Sequence, residues 1–73
     1  MNTEQARDEV MQAFPDGEFV NTREKGRSKV GVRFFNGKEM QTNCIVIPDA
    51  YSQEQAMMAV RSVIAYAKSR CNQ

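Results

Sequence analysis

The chain reads as an α+β domain of order α-β-β-β-α: a three-stranded antiparallel sheet with two helices packed on one face. Three observations carry that reading. Apolar residues recur at helical spacing near both ends, and between them the spacing changes to alternation. Glycine-centred turns break the alternating stretch into pieces of strand length. No apolar helix separates the strands, so neighbours must run antiparallel. At 73 residues the whole chain makes one compact domain.

The first helix is expected at about 3–13. Asn2 or Thr3 can cap it, and Gln5 stands three residues after Asn2 as in a capping box. Ala6, Val10, Ala13 and Phe14 then fall on one helical stripe, and Pro15 ends it by pushing residue 14 out of helical geometry. Asp16-Gly17 makes the turn. Phe19 and Val20 open a short strand, about 18–23, which is expected to dissolve into the charged run Arg23 to Lys29 around Gly26. A second strand follows at about 29–35, with Val30, Val32 and Phe34 facing one way and Gly31, Arg33 and Phe35 the other.

Asn36-Gly37 is a strong hairpin signal leading into a third strand at about 39–47. A two-residue Asn36-Gly37 loop would set apolar against polar side chains along one face. A three-residue loop, Phe35-Asn36-Gly37, would pair Val32 with Met40 and Val30 with Thr42, with Cys44 and Val46 extending the apolar row. Burial favours the second register, which gathers Arg33, Gln41 and Asn43 on the outer face. The last helix, about 52–69, has Ser52 and Gln55 as a capping box and Glu54 against the helix dipole. Ala56, Val60, Val63, Ile64 and Ala67 form its inward stripe, and Lys68 and Arg70 lie in its last turn.

Composition narrows the function more than it names it. The chain has no histidine, no phosphate-loop glycine spacing and two cysteines, Cys44 and Cys71. A general base of the usual kind, a zinc ligand set and a disulfide framework are therefore not to be expected. No catalytic residue, metal or cofactor is assigned. No apolar run reaches the roughly 18 residues of a membrane span, and the opening residues do not read as a signal peptide. A cytoplasmic protein without membrane contact is expected.

The net charge is +1, but it is unevenly spread: residues 1–18 carry −4, residues 19–38 carry +5, and the remainder balances. Two binding readings follow. In the first, Arg33, Gln41 and Asn43 read base edges from the outer sheet face. Arg23, Lys25, Arg27 and Lys29, in or beside the β1–β2 loop, then hold phosphates of DNA or RNA. In the second, the chain is a protein-binding accessory factor without chemistry, of the phage- or plasmid-type inhibitor or adaptor kind. Phe35, Met57, Met58 and Tyr66 are then interface residues, with Tyr51 beside them. A homodimer is a related expectation, because so short a chain builds a thin core.

The element order, over nearly the whole chain, resembles that of the double-stranded-RNA-binding domain. More loosely it resembles the three-strand-plus-helix DNA-binding domain of phage-type integrases. The resemblance is one of topology, and it implies a sheet-and-helix nucleic-acid module. Where the RNA-binding family begins its second helix with a lysine cluster, this chain has Tyr51-Ser52-Gln53-Glu54-Gln55-Ala56. Lys25-Gly26-Arg27-Ser28 stands in place of that family's Gly-Pro-x-His loop.

Overall fold

The structure, a computed structural model, describes residues 1–71. Helix α1 spans Thr3–Ala13, strands β1, β2 and β3 span Glu18–Glu24, Arg27–Phe35 and Met40–Pro48, and helix α2 spans Gln53–Cys71. The sheet is antiparallel in the order β1-β2-β3, so β2 is central and the other two strands are edges. Both helices lie on one face. Ala6, Val10 and Phe14 from the α1 side meet Ala56, Met57, Val60 and Ala67 of α2 over Val30, Val32 and Phe34 of β2 and Ile47 of β3. This is the expected fold class and element order.

Asn2 caps α1, its Oδ1 accepting from the Gln5 backbone N–H at 3.0 Å. The reciprocal half of the expected box is replaced by a link between helices. Gln53 Oε1 accepts from the Asn2 N–H at 2.6 Å, and Gln53 Nε2 donates to Gln5 Oε1 at 2.9 Å. Arg61 of α2 adds an ion pair to Glu9 at 2.9 Å. At α2 the box forms as expected: the Gln55 N–H donates to Ser52 Oγ at 3.1 Å and the Ser52 N–H to Gln55 Oε1 at 2.9 Å. The Phe14 and Phe34 rings sit 4.8 Å apart, with the Lys68 ammonium 4.9 Å from the Phe14 centroid.

Two strand expectations are corrected. The run from Arg23 to Lys29 is not a loop. β1 and β2 continue to the pair Glu24↔Arg27, leaving Lys25-Gly26 as the turn, with Gly26 at φ +75°. Opposite charges on the paired ends let this polar stretch remain strand.

The β2–β3 register also differs from both registers considered. Phe34 pairs with Gln41, Val32 with Asn43 and Val30 with Ile45. The turn sits one residue later than Asn36-Gly37, because the Asn36 side chain closes it: Oδ1 accepts from the N–H of Lys38 at 2.9 Å and of Glu39 at 3.0 Å. Gly37 supplies the positive φ of +101°. The two-residue length keeps the parity of an Asn36-Gly37 loop and reverses that of the three-residue register that burial favoured. Ile45 and Ile47 face the helices, Cys44 and Val46 face outward, and Gln41 and Asn43 lie half-buried on the helix side. Gln41 gains a partner there, whereas Asn43 Nδ2 is buried without one among the described residues. Arg70 Nε donates to Gln41 Oε1 at 3.4 Å.

Gly31 is the tightest point in the sheet. A Cβ there would overlap the Asn43 carbonyl oxygen and stand 2.7 Å from the Cα of Cys44. Gly31→Ala is expected to destabilise the protein by about 1–3 kcal/mol, the range for overpacking a fitted site. A urea titration checks this, with the exposed turn substitution Lys25→Ala expected to stay within about 0.5 kcal/mol of wild type.

Candidate interaction surface

The observed register writes the uncovered sheet face as rows running across β1, β2 and β3. They are Glu18–Arg33–Thr42, Val20–Gly31–Cys44, Thr22–Lys29–Val46 and Glu24–Arg27–Pro48, with Phe35–Met40 closing one end. The rows follow from strand alternation alone: every residue named is one position out of phase with the buried set. Phe35, Met40 and Val46 are 59%, 50% and 45% exposed. Between them lies the side-chain-free Gly31, flanked by half-buried Val20 and Cys44. The face therefore has an apolar hairpin end at Phe35 and Met40, a closely packed middle row at Gly31, and charged residues in the rows on either side of it.

Each residue assigned from sequence has a definite place. Arg33 and Lys29 are exposed on this face, and Lys25 is exposed in the turn. Arg27 lies on the same face, with its Nε 2.9 Å from Glu24 Oε1. Arg23 belongs to the opposite side, where it grips both carboxylate oxygens of Asp49 at 2.5 Å and donates to Ser28 Oγ at 3.0 Å. Gln41 and Asn43 are also on the helix side, so Arg33, Gln41 and Asn43 do not share a surface. The proposed base-reading set is thus divided by the sheet.

Among the interface candidates, Phe35 is on the open face, while Met58 and Tyr66 are exposed on α2 at 63% and 55%. Met57 is buried beside Val60 and is a core residue. The outward placement of Met40 and Val46 escaped the sequence reading, because it follows from the true register. The signal that could have found them was the pair Ile45 and Ile47, which as the most hydrophobic residues of β3 should define its inward row.

The charges on the face largely face each other. Glu24 holds Arg27, and Glu18 stands directly across from Arg33. Burial pushes the Cys44 thiol above its ordinary value, with Lys29 opposing that shift, so the group stays a protonated, weakly polar surface filler. Among the described residues no cluster of three metal-ligating side chains occurs, and no helix is long and apolar enough to cross a membrane.

The Arg23–Asp49 pair has a pH signature. The hydrogen bond from Arg23, more than its charge, holds the Asp49 carboxyl below its usual value. A carboxyl depressed in the folded state contributes stability above its unfolded value, about 3.9, and loses it as pH falls through the folded value. Asp49→Asn is therefore expected to lower Tm at neutral pH. The gap to wild type should close as the pH is taken below the carboxylate range, as thermal melts across an acid series would show. Comparison of the chain with protein-family models, with curated proteins and with solved structures finds no match in any of the three, so its function is argued from its own surface.

Proposed function

We propose that this chain is a non-catalytic protein-binding accessory module that takes its partner on the uncovered sheet face. The observation that carries the reading is the set of large apolar side chains exposed on that face, Phe35 and Met40 paired at its hairpin end and Val46 in the row of Thr22 and Lys29. Exposed apolar side chains set beside charge are the anatomy of an interface. Phe35, Met40 and the adjoining Arg33 are of the types enriched there. The charged ends, Glu18 with Arg33 and Glu24 with Arg27, then set orientation more than affinity.

A second reading has its own observation: Lys25, Lys29 and Arg33 form no salt bridge among the described residues and are exposed along one side of β2 and its turn. They could hold phosphates of DNA or RNA. It ranks second because Glu18 and Glu24 lie among these cations and the two amides face away.

Capture from the native host, with and without nuclease, separates the two. Partners that persist through nuclease and are lost with Phe35→Ser support the protein-binding reading. That exposed substitution is expected to change stability by under about 0.5 kcal/mol. If capture survives Phe35→Ser and Met40→Ser together, the sheet face is not the site. Under the second reading, Lys29→Ala should instead weaken nucleic-acid binding and reduce the log-log salt slope by about one unit.

A further inference from the structure

We infer that the β3 edge pairs antiparallel with the β3 edge of a second copy of this chain, joining two sheets into one of six strands about a two-fold axis at Asn43. The inference rests on the protein-binding reading and names one partner within it. Its starting point is the backbone. The Asn36 N–H donates to the Glu39 carbonyl at 3.1 Å and the Asp49 N–H to the Gly26 carbonyl at 3.0 Å, fixing which pairs of the β2–β3 ladder are hydrogen-bonded. Antiparallel pairs alternate. It follows that residues 41, 43, 45 and 47 turn their peptide groups toward β2. Met40, Thr42, Cys44 and Val46 turn theirs outward, and no described strand meets them there.

An unpaired edge of this length is a template for another strand, and charges or inward kinks are the usual defence. From Met40 to Pro48 there is no charged residue. The β1 edge, by contrast, carries Glu18, Arg23 and Glu24. A copy of β3 therefore meets β3 without like-charge repulsion.

A two-fold axis at residue 43 sets Met40 opposite the partner's Val46 and Thr42 opposite the partner's Cys44. All four outward peptide groups find partners, and the exposed Met40 and Val46 become a cross-strand apolar pair at each end. Pro48, which has no N–H to offer, falls beyond the ladder. This register also places the two Asn43 residues in a non-hydrogen-bonded pair, where side chains come closest. In the single chain Asn43 Nδ2 is buried on the helix side with no hydrogen-bond partner among the described residues. Two carboxamides related by a two-fold axis can rotate to donate to each other, as one polar pair in an apolar seam fixes register elsewhere.

The helices permit it. α2 packs over both β2 and β3. With strands about 4.8 Å apart, α2 and its copy would lie about 10 Å apart across the axis, at the outer limit of close helix packing. The α2 flank facing the edge presents Gln55, Ala59 and Ser62 beside Ile45, small or neutral groups, and toward its far end Tyr66 with Arg70, whose Nε donates to Gln41 Oε1. Exposed Met58 and Tyr51 stand beside half-buried Ile45 on the same side.

The experiment is sedimentation equilibrium of the full chain at high micromolar concentration, with three variants. Wild type is expected at twice its 8.3 kDa chain mass. Thr42→Pro removes an outward N–H and no β2 ladder bond, and should give a monomer with unchanged far-UV circular dichroism. Thr42→Lys keeps every backbone group, brings two cations together near the axis, and should do the same. Asn43→Asp should be monomeric at neutral pH and dimeric below the carboxylate range. A monomeric wild type overturns the inference. So does a dimer that survives both Thr42 variants, or an Asn43→Asp protein that stays dimeric at neutral pH. A wild-type monomer that still captures a Phe35-dependent partner removes the dimer alone. A dimer whose Phe35→Ser variant captures partners unchanged removes the sheet-face reading alone.

Discussion

The burial of one face of β2 is the constraint on which the other elements depend. Val30 and Val32 are fully buried and Phe34 nearly so, and the two valines face Val10 and Val60, also fully buried, within one core. Each such side chain contributes about 1.5–3 kcal/mol of transfer free energy. In so short a chain few others do, so the row cannot be moved without losing much of the stability. Its neighbours are arranged around it. β1 and β3 both take their register from β2, α2 spans β2 and β3, and α1 reaches the core mainly along the flank of α2 and over β1, with Phe14 at its end against Phe34.

The basic middle of the chain acquires a different meaning once its geometry is known. Arg23 is held by Asp49, Arg27 by Glu24, and Arg33 stands across from Glu18. Much of a segment carrying +5 thus lies against acidic groups, one of them from a distant part of the chain. Exposed pairs of this kind add little stability. They do suppress the local field that a phosphate backbone would meet. What is left on the open face is a few exposed apolar side chains, Phe35, Met40 and Val46, in a nearly neutral frame.

The element order and element types were legible in the sequence because several local signals agreed. Ser52 and Gln55 marked one helix start, Pro15 one helix end, and the alternation of Val30, Val32 and Phe34 the central strand. The outer surface was not legible, because it depends on a single choice of parity. Both rows of β3 mix polar with apolar residues: Gln41, Asn43, Ile45 and Ile47 against Met40, Thr42, Cys44 and Val46. Alternation alone cannot choose between them. The choice fell to the Asn36 side chain, which takes the place of a backbone acceptor in the turn and closes a loop of two residues, Gly37-Lys38, where burial favoured three. A slip of one residue exchanges every outward side chain for an inward one. The same reasoning missed Met57, whose place in the core depends on how far α2 is rotated about its axis.

The bonds that tie α1 to α2 bear on how the chain is made. Asn2 and Gln5 reach Gln53, and Glu9 reaches Arg61, across separations of 51, 48 and 52 residues. The three strands, by contrast, join neighbours through short turns and can pair as soon as each hairpin emerges. Helix α1 is synthesised well before the α2 flank that forms the larger part of the surface it rests on. At ordinary elongation speeds the gap is roughly 3–10 s, while an isolated helix of 11 residues is marginal in water. Through that interval the apolar side of α1 has no cover of its own, and the newborn chain is a sheet awaiting both helices.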